Sequence, residues 1–330
     1  MPPHYTQRGC ALYLGYVHFR FRRLRFHFEA VETVWIPRGQ SGNVVRGAFG
    51  NMLRKVACTP QCGSVGHAIH AAGCPYARIF EPRSPSGVGP SGFSDRPRPF
   101  VFRTAYLDAR EIPPGESLSF DAHLFDVTPA ALSYFVSALG QLAEEGLGPR
   151  RPRAKLVSVE QHPPDDSLPS IAFDGEKLYG GLEPSAISLD PESAAVSSVT
   201  VHFKTPTELK SGDGLATRPD FPILVARIRD RISTLGALYG EGPLEVDFRA
   251  MGERAATIEM PRCEIHQERA QRHSTRTGQT HPLGGFTGMA EYRGDLTEFV
   301  PYLRAARWTG VGRQTVWGKG EICVSVPAPG

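Results

Sequence analysis

The 330-residue sequence lacks long apolar runs and lacks a strong net charge. No run of about eighteen apolar residues marks a membrane-spanning helix, and the first residues show no apolar core of a secretory signal. We therefore expect a cytoplasmic protein with no membrane partner. The formal net charge is only +3, so a nucleic-acid partner would have to bind local basic patches.

Cysteine is scarce, with six residues in the chain, and in the cytosol thiols or metal ligands are more common than disulfides. Cys58, Cys62 and Cys74 lie close together, with His67 and His70 between the last two. Three thiolates and one histidine suit a tetrahedral zinc ion. We name Cys58, Cys62, Cys74 and His67 as candidate ligands of a structural zinc. The spacing is not that of a standard zinc finger, so free thiols and a redox or cluster role stay open.

Residues 1–161 predict one α+β domain. The predicted elements are a strand over 10–36, a helix over 43–57, strands from 100 and over 117–125, a helix from 129 to 146 and a strand over 155–160. Thr128 and Pro129 are typical of a helix start. Aromatic and basic residues alternate in the first strand but slip at Arg22 and Arg23, which predicts a bulge. This order of elements is the ferredoxin-like pattern.

The same order returns after a predicted linker over 162–197. The elements predicted for the second domain, 198–330, are strands over 199–205, 244–248, 256–267, 284–292 and 320–326, with helices over 220–239 and from Asp295. For the last helix, Asp295 and Glu298 resemble a capping box. The repetition predicts two tandem ferredoxin-like domains.

A glycine-rich stretch, GVGRQTVWGKG, occupies residues 310–320. Glycine permits positive φ and close approach of a ligand to the backbone, so the amides of this stretch can point into a concavity. Arg313 and Lys319 would make that concavity cationic, which favours a phosphate-rich chain. A glycine-rich hairpin with exposed charges is the alternative.

A basic stretch precedes the glycine pair Gly284 and Gly285. It contains Arg269, Arg272, His273, Arg276 and His281. Arginine-rich loops of this kind order on RNA, and an aromatic such as Trp308 or Trp317 can stack on a base. A histidine among arginines meets a field that favours its neutral form, which a general base requires.

Several segments together resemble the RAMP superfamily of CRISPR-associated proteins, most closely the endoribonucleases of the sixth Cas family. The similar segments are VVRGAFGNMLRKVAC, CPYARIFEP, VHFKTPTELK, RHSTRTGQTHPLGGFTGMAEYRGDL and WTGVGRQTVWGKGEI. They span most of the chain in order, which makes the combination specific although each piece alone is weak.

The resemblance implies CRISPR repeat RNA as substrate, other Cas proteins as partners, and no small-molecule ligand. It also implies metal-independent cleavage, in which a 2′-hydroxyl attacks the adjacent phosphate. The products carry a 2′,3′-cyclic phosphate and a 5′-hydroxyl. Histidine suits the acid and base tasks, and a cation stabilises the charge on phosphorus. Our catalytic candidates are His273, His281 and Arg272. Our RNA-binding candidates are Arg46, Arg54, Arg269, Arg276, Gly284, Gly285, Gly310, Gly312, Arg313, Gly318, Lys319 and Gly320.

One feature departs from the family pattern. Family members often place the catalytic histidine in or just after the first helix, and this helix has Asn51 at a position where a histidine is expected. His67 and His70 follow soon afterwards but compete with the metal interpretation. Two alternatives therefore stay open: a non-cleaving RAMP subunit that binds crRNA, and an unrelated double ferredoxin-like protein with a structural or redox metal.

Overall fold

A computed structural model describes residues 18–62, 70–82, 96–148, 150–268, 271–273, 280–282 and 284–327. The strands are β1 His18–Ala30, β2 Val34–Trp35, β3 Phe100–Arg103, β4 Glu111–Ile112, β5 Ser117–Leu124, β6 Ala154–His162, β7 Ser170–Phe173, β8 Ser185–Ser188, β9 Ser198–Thr207, β10 Lys210–Ser211, β11 Gly214–Leu215, β12 Glu259–Glu268, β13 Gln271–His273, β14 Thr280–Pro282, β15 Gly285–Arg293 and β16 Ile322–Ser325. The helices are α1 Ser41–Ala57, α2 Pro75–Ile79, α3 Pro129–Glu145, α4 Phe221–Tyr239, α5 Phe248–Ala255 and α6 Val300–Thr309.

Two antiparallel sheets with the same strand order form the two halves of the fold. The first sheet contains the order β3-β5-β1-β6, and the second has the order β12-β15-β9-β16. In each sheet the first strand of the unit therefore lies between the third and the fourth, which is the ferredoxin-like arrangement. The prediction of two tandem ferredoxin-like units is confirmed.

Local capping determines where the helices begin. The Thr128 hydroxyl accepts a hydrogen bond from the Ala131 amide at 3.3 Å, and α3 begins at Pro129 as predicted. The capping box predicted at Asp295 is wrong: the Asp295 carboxylate accepts from the Thr297 amide, and α6 begins five residues later at Val300. Residues 244–248, predicted as a strand, are not one. Asp247 instead caps α5 by accepting from two backbone amides.

Strand β1 contributes to both hydrophobic cores. It gives Leu24, Phe26, Phe28 and Ala30 to the core that includes α1 and α3, and Phe19 and Phe21 to the core that includes α4 and α6. Successive residues of a strand point to opposite faces, so these two sets lie on opposite faces of one sheet. The bulge expected at Arg22 and Arg23 is absent, since pairing with β5 runs without interruption from Arg22 to Glu29. The slip in alternation marks the point where the buried face changes.

The predicted linker over 162–197 contains two strands that join the first sheet. β7 pairs with β6, placing Phe173 opposite Val159. β8 pairs with the beginning of β1, placing Ile187 opposite Phe19. This segment therefore adds two strands to the first sheet before the chain enters the second unit.

Among the helices of the described residues, none has the length and apolar character needed to span a membrane.

Donors from three other elements, β3, β5 and α4, cap the C-terminal end of α6. The carbonyl of Arg307 accepts from the Arg103 guanidinium at 2.9 Å, and that of Trp308 accepts from His123 Nδ1 at 2.9 Å. The Thr309 carbonyl accepts from Arg231 Nε at 2.9 Å. The last carbonyls of a helix have no partner within the helix, so these bonds satisfy groups that burial would otherwise leave unpaired.

We call this capped C-terminal end of α6, with the donors that satisfy it, the junction. His123 is neutral in the junction. Burial, and secondarily the neighbouring Arg103, lower the pKa of His123 from 6.5 to about 3, and the bond to the Trp308 carbonyl opposes this only in part. Because a carbonyl is the acceptor, Nδ1 carries the proton. Two guanidinium groups already face this helix end, and a third buried cation would repel both.

The neutral His123 predicts acid sensitivity of the junction. A depressed folded-state pKa contributes stability above the unfolded value of 6.5, and that stability is lost as pH falls toward about 3. Thermal unfolding of His123→Asn should therefore depend less steeply on pH between about pH 7 and pH 4 than that of the parent protein.

The matched control is His266→Asn, which changes an exposed histidine of β12. It should keep the parental pH dependence. Identical pH profiles for the parent and His123→Asn would show that His123 does not contribute to the pH dependence of stability.

Candidate nucleic-acid interface

The segment of residues 310–320, which we call the glycine-rich segment, begins where α6 ends. Gly310, Gly312, Gly318 and Gly320 have φ of 68°, 81°, 79° and 66°. At two of them a side chain has no space: a Cβ on Gly312 would lie 2.1 Å from the Glu208 carbonyl oxygen, and one on Gly320 would lie 1.9 Å from that of Val311. The backbone path therefore requires these glycines, which also allow a ligand to come close to the backbone.

Both halves of the fold contact the glycine-rich segment. A Cβ added to Gly42 of α1 would lie 2.1 Å from the Trp317 carbonyl oxygen, so helix and segment are in close contact. From β9, the Thr205 hydroxyl donates to the Gly318 carbonyl at 2.8 Å, and the Pro206 carbonyl accepts from the Gly320 amide at 3.1 Å. The alternative of a glycine-rich hairpin with exposed charges holds only for Arg313, which is exposed. The segment itself is packed between α1 and β9.

Carboxylates lie beside the two cations of the segment. The Arg313 side chain is 57% exposed and lies 3.5 Å from the Glu208 carboxylate. Burial lowers the pKa of Lys319, and the neighbouring Glu268, Asp108 and Glu208 counteract this. Burial also raises the pKa of Glu208. The expected concavity is therefore of mixed charge, and Arg313 is its more exposed cation.

Two arginines of α1 lie over aromatic rings of α2 and its C-cap. The Arg46 guanidinium is 4.3 Å from the centroid of Phe80 and 4.9 Å from that of Trp317. Arg54 is 5.8 Å from the Tyr76 ring, and Tyr76 stacks on Phe80 at 5.5 Å. Such cation–π contacts hold a guanidinium in place while it keeps its charge. We call Tyr76 and Phe80 the aromatic platform.

The aromatic platform was missed at the level of sequence. Its signal is the spacing in CPYARIF, since residues four apart share one face of a helix. The platform also requires glycine at position 50, because a Cβ on Gly50 would lie 2.1 Å from the Phe80 ring.

Of the two tryptophans proposed to stack on a base, Trp308 is excluded, since it is 5% exposed and packs on Phe21 at 5.2 Å. Trp317 is partly exposed.

The catalytic candidates lie on a two-stranded ribbon formed by β13 and β14. Its register places Arg272 opposite His281 and His273 opposite Thr280. The candidates Arg269 and Arg276 lie outside the described residues.

The ribbon follows the last residue pair between β12 and β15 of the second sheet, Glu268 opposite Gly285. Gly284 and Gly285 lie at this base, and a Cβ on Gly285 would lie 2.6 Å from the Thr207 amide nitrogen. The carbonyl of the next residue, Glu208, accepts from the Arg313 amide at 3.0 Å. The base of the ribbon thus adjoins the glycine-rich segment.

The candidate metal ligands converge at the C-terminal end of α1. The sulfur atoms of Cys58, Cys62 and Cys74 and a ring nitrogen of His70 lie within 4.8 Å of one another. The fourth member is His70, whereas we named His67, which lies outside the described residues. We call these four residues the thiol cluster.

Two family profiles match this chain. One, described as the N-terminal domain AF_1859_N, covers residues 19–183, and the other, described as CRISPR-associated endoribonuclease Cas6, covers residues 201–322. The C-terminal part of the chain thus contains a domain that matches the Cas6 family of CRISPR-associated proteins. The Cas6 match contains the ribbon, its glycine pair and all of the glycine-rich segment. No curated protein matches the chain.

Solved structures of Cas6 proteins share this fold. A Cas6 product complex superposes with a TM-score of 0.55 at 17% identity, covering 93% of this chain and 100% of that chain. A Thermus thermophilus Cas6 gives 0.50 at 17% identity, covering 93% and 98%. A partial Cas6-RT-Cas1–Cas2 complex gives 0.53 at 12% identity, covering 93% and 46%.

Two glycines of α1 provide a matched test of the contact between α1 and the glycine-rich segment. Gly42→Ala places a methyl group 2.1 Å from the Trp317 carbonyl oxygen, whereas Gly47→Ala meets no atom within 4 Å. Gly42→Ala should lower the free energy of unfolding by about 1–3 kcal/mol, as expected for overpacking. Gly47→Ala should raise it by about 0.5–1 kcal/mol, because alanine favours the helix.

Chemical denaturation followed by tryptophan fluorescence measures both changes. Equal and favourable effects of the two substitutions would mean that α1 does not contact the glycine-rich segment in solution.

Proposed function

We propose that this protein is a Cas6-type endoribonuclease that cleaves CRISPR repeat RNA and so produces crRNA. In this proposal cleavage needs no metal ion. A 2′-hydroxyl loses its proton and attacks the adjacent phosphorus, and the 5′-oxygen leaves after protonation. The products then end in a 2′,3′-cyclic phosphate and a 5′-hydroxyl.

The observation that carries the proposal is the Cas6 match over residues 201–322. That range includes the ribbon with its two histidines and the base where the ribbon adjoins the glycine-rich segment. An RNA strand lying along the segment would therefore pass the ribbon. The Cas6 product complex of similar fold agrees with RNA as the ligand.

The ribbon register supports a division of tasks. In the backbone register, Arg272 and His281 occupy opposite positions of an antiparallel pair. We assign proton transfer to His281 or His273, and we assign Arg272 to the charge that gathers on the phosphorus. Arg269 and Arg276 would add phosphate contacts.

RNA binding is assigned to the face made by α1 and the glycine-rich segment, with the buried rings of the aromatic platform supporting it from beneath. Arg46 and Arg54 offer cations held over rings, and Trp317 offers a partly exposed ring. Arg313 offers an exposed cation at the other end of the segment. Stacking and phosphate contacts together are the usual means of holding single-stranded RNA. We further propose assembly with other Cas proteins, as in the Cas6-RT-Cas1–Cas2 complex.

A second candidate function is binding of repeat RNA without cleavage. It is favoured by one observation: α1 carries an exposed Asn51 where the family often has a histidine. In that case the ribbon histidines would only donate hydrogen bonds to RNA.

Single-turnover cleavage of the cognate repeat RNA, with EDTA added together with the RNA, tests the proposal. The parent protein should give two fragments, and RNA with a 2′-deoxy nucleotide at the cleaved bond should stay intact. His281→Ala or His273→Ala should slow the reaction by about a hundredfold or more, as expected for loss of an acid or base.

Binding measured in parallel separates the outcomes. Affinity of the histidine variants should stay within a few fold of the parent. A shifted but intact RNA with the parent protein would support the non-cleaving function, and parental rates for both variants would exclude the ribbon as the catalytic site.

The cations of the glycine-rich segment should contribute to the salt dependence of binding. Arg313→Ala with Lys319→Ala should weaken repeat-RNA binding and flatten the plot of log affinity against log salt. On single strands, each phosphate that a cation neutralises contributes about 0.7 to the slope of this plot. Titrations at several salt concentrations measure the slope for the parent and the double variant.

Glu208→Gln is the opposing control, since it removes a carboxylate 3.5 Å from Arg313. It should tighten binding, because it removes a negative charge from the RNA path. An unchanged slope in the double variant would place the RNA elsewhere.

A further inference from the structure

The thiol cluster draws its four members from two separate segments. Cys58 directly follows the last residue of α1, and Cys62 lies in the following turn, where its amide donates to the Thr59 carbonyl at 3.0 Å. His70 and Cys74 come from the segment that leads into α2, and Cys74 is the N-cap of that helix. The two segments bring only soft ligands and an imidazole to one place.

The distances among Cys58, His70 and Cys74 match the edges of a zinc tetrahedron. Zinc bonds of about 2.3 Å to sulfur and 2.0–2.1 Å to nitrogen give tetrahedral edges of about 3.8 Å between two sulfurs and about 3.6 Å between sulfur and nitrogen. The sulfurs of Cys58 and Cys74 are 3.9 Å apart. Nδ1 of His70 is 3.7 Å from the Cys58 sulfur and 3.6 Å from the Cys74 sulfur.

A disulfide does not fit the same positions. A sulfur–sulfur bond requires about 2.05 Å, so the 3.9 Å between Cys58 and Cys74 is a non-bonded separation. A disulfide would also leave the third sulfur and the imidazole without a role. The convergence of three thiols on one ring nitrogen is instead typical of a closed structural metal site.

Neighbouring groups suit ligands of a metal. The Ala71 amide donates to the Cys62 sulfur at 3.5 Å, a bond that favours a thiolate. On the far side of the imidazole, Nε2 of His70 lies 3.9 Å from the Glu81 carboxylate. A metal-bound histidine commonly has a carboxylate on this side, which orients the ring. The His70 side chain is 5% exposed.

We propose that Cys58, Cys62, His70 and Cys74 bind one structural zinc ion. The ion ties the C-terminal end of α1 to the N-terminal end of α2. Because α2 and its C-cap carry Tyr76 and Phe80, the ion also holds the aromatic platform against Arg46 and Arg54 of α1. The site stands on the ligand geometry alone, and its effect on RNA binding rests on the proposed function.

Metal content tests the site without reference to RNA. Protein purified without chelator should contain about one zinc ion per chain, and removal of the ion should lower the melting temperature. His70→Ala and Cys74→Ser should lose the zinc. His67→Ala should keep it, and so should Cys323→Ser, which changes a free thiol in β16.

Cobalt substitution keeps the test valid if a ligand variant fails to fold. The parent protein refolded with Co²⁺ should show the intense visible bands of a tetrahedral site and thiolate-to-cobalt charge transfer in the near ultraviolet. Absence of stoichiometric zinc, or a cobalt spectrum without thiolate bands, would overturn the site. Loss of zinc in His67→Ala but not in His70→Ala would overturn this ligand set. These readouts do not depend on RNA cleavage, so either proposal can fail alone.

Discussion

The capped C-terminal end of α6 is the contact on which the arrangement of the two units depends. Carbonyl groups at a helix C-terminus carry partial negative charge and need donors when buried. Here Arg103 and His123 come from the first sheet and Arg231 comes from α4, so one helix end joins elements of both units. An unpaired buried carbonyl costs about 1–3 kcal/mol. Sliding of one unit over the other is therefore unfavourable at this point.

The position of the glycine-rich segment follows from that contact. Gly310 comes directly after the capped turn, with its amide donating to the Ala306 carbonyl at 2.8 Å. From there the chain passes between β9 and α1, where Gly42 leaves no space for a side chain against the Trp317 carbonyl. The candidate interface is thus made by both units. The first contributes α1 with its arginines, and the second contributes the ribbon and the cations of the segment.

The sequence predicted those features of the fold that are determined by residues close together in the chain. The duplicated ferredoxin-like order and the start of α3 were predictable, because periodicity and caps such as Thr128 act within one turn. The face change in β1 was not, because a slip in alternation looks the same for a bulge and for a strand shared by two cores. Trp308 was misjudged for a similar reason: its burial comes from Phe21, distant in the chain. At the thiol cluster, composition gave three thiols and a histidine, but choosing between His67 and His70 required the fold.

The two supports of α1 explain how a chain with a net charge of only +3 can present cations to a phosphate backbone. At the N-terminal end Gly42 contacts the glycine-rich segment, and at the C-terminal end the chain enters the thiol cluster. Between these ends Arg46 and Arg54 lie over aromatic rings, which limits their rotamer freedom. A side chain ordered before binding loses less entropy when it meets a ligand. A few preorganised guanidinium groups can therefore replace a large diffuse charge, and nearby Glu208 and Glu268 then disfavour anions that do not match their positions.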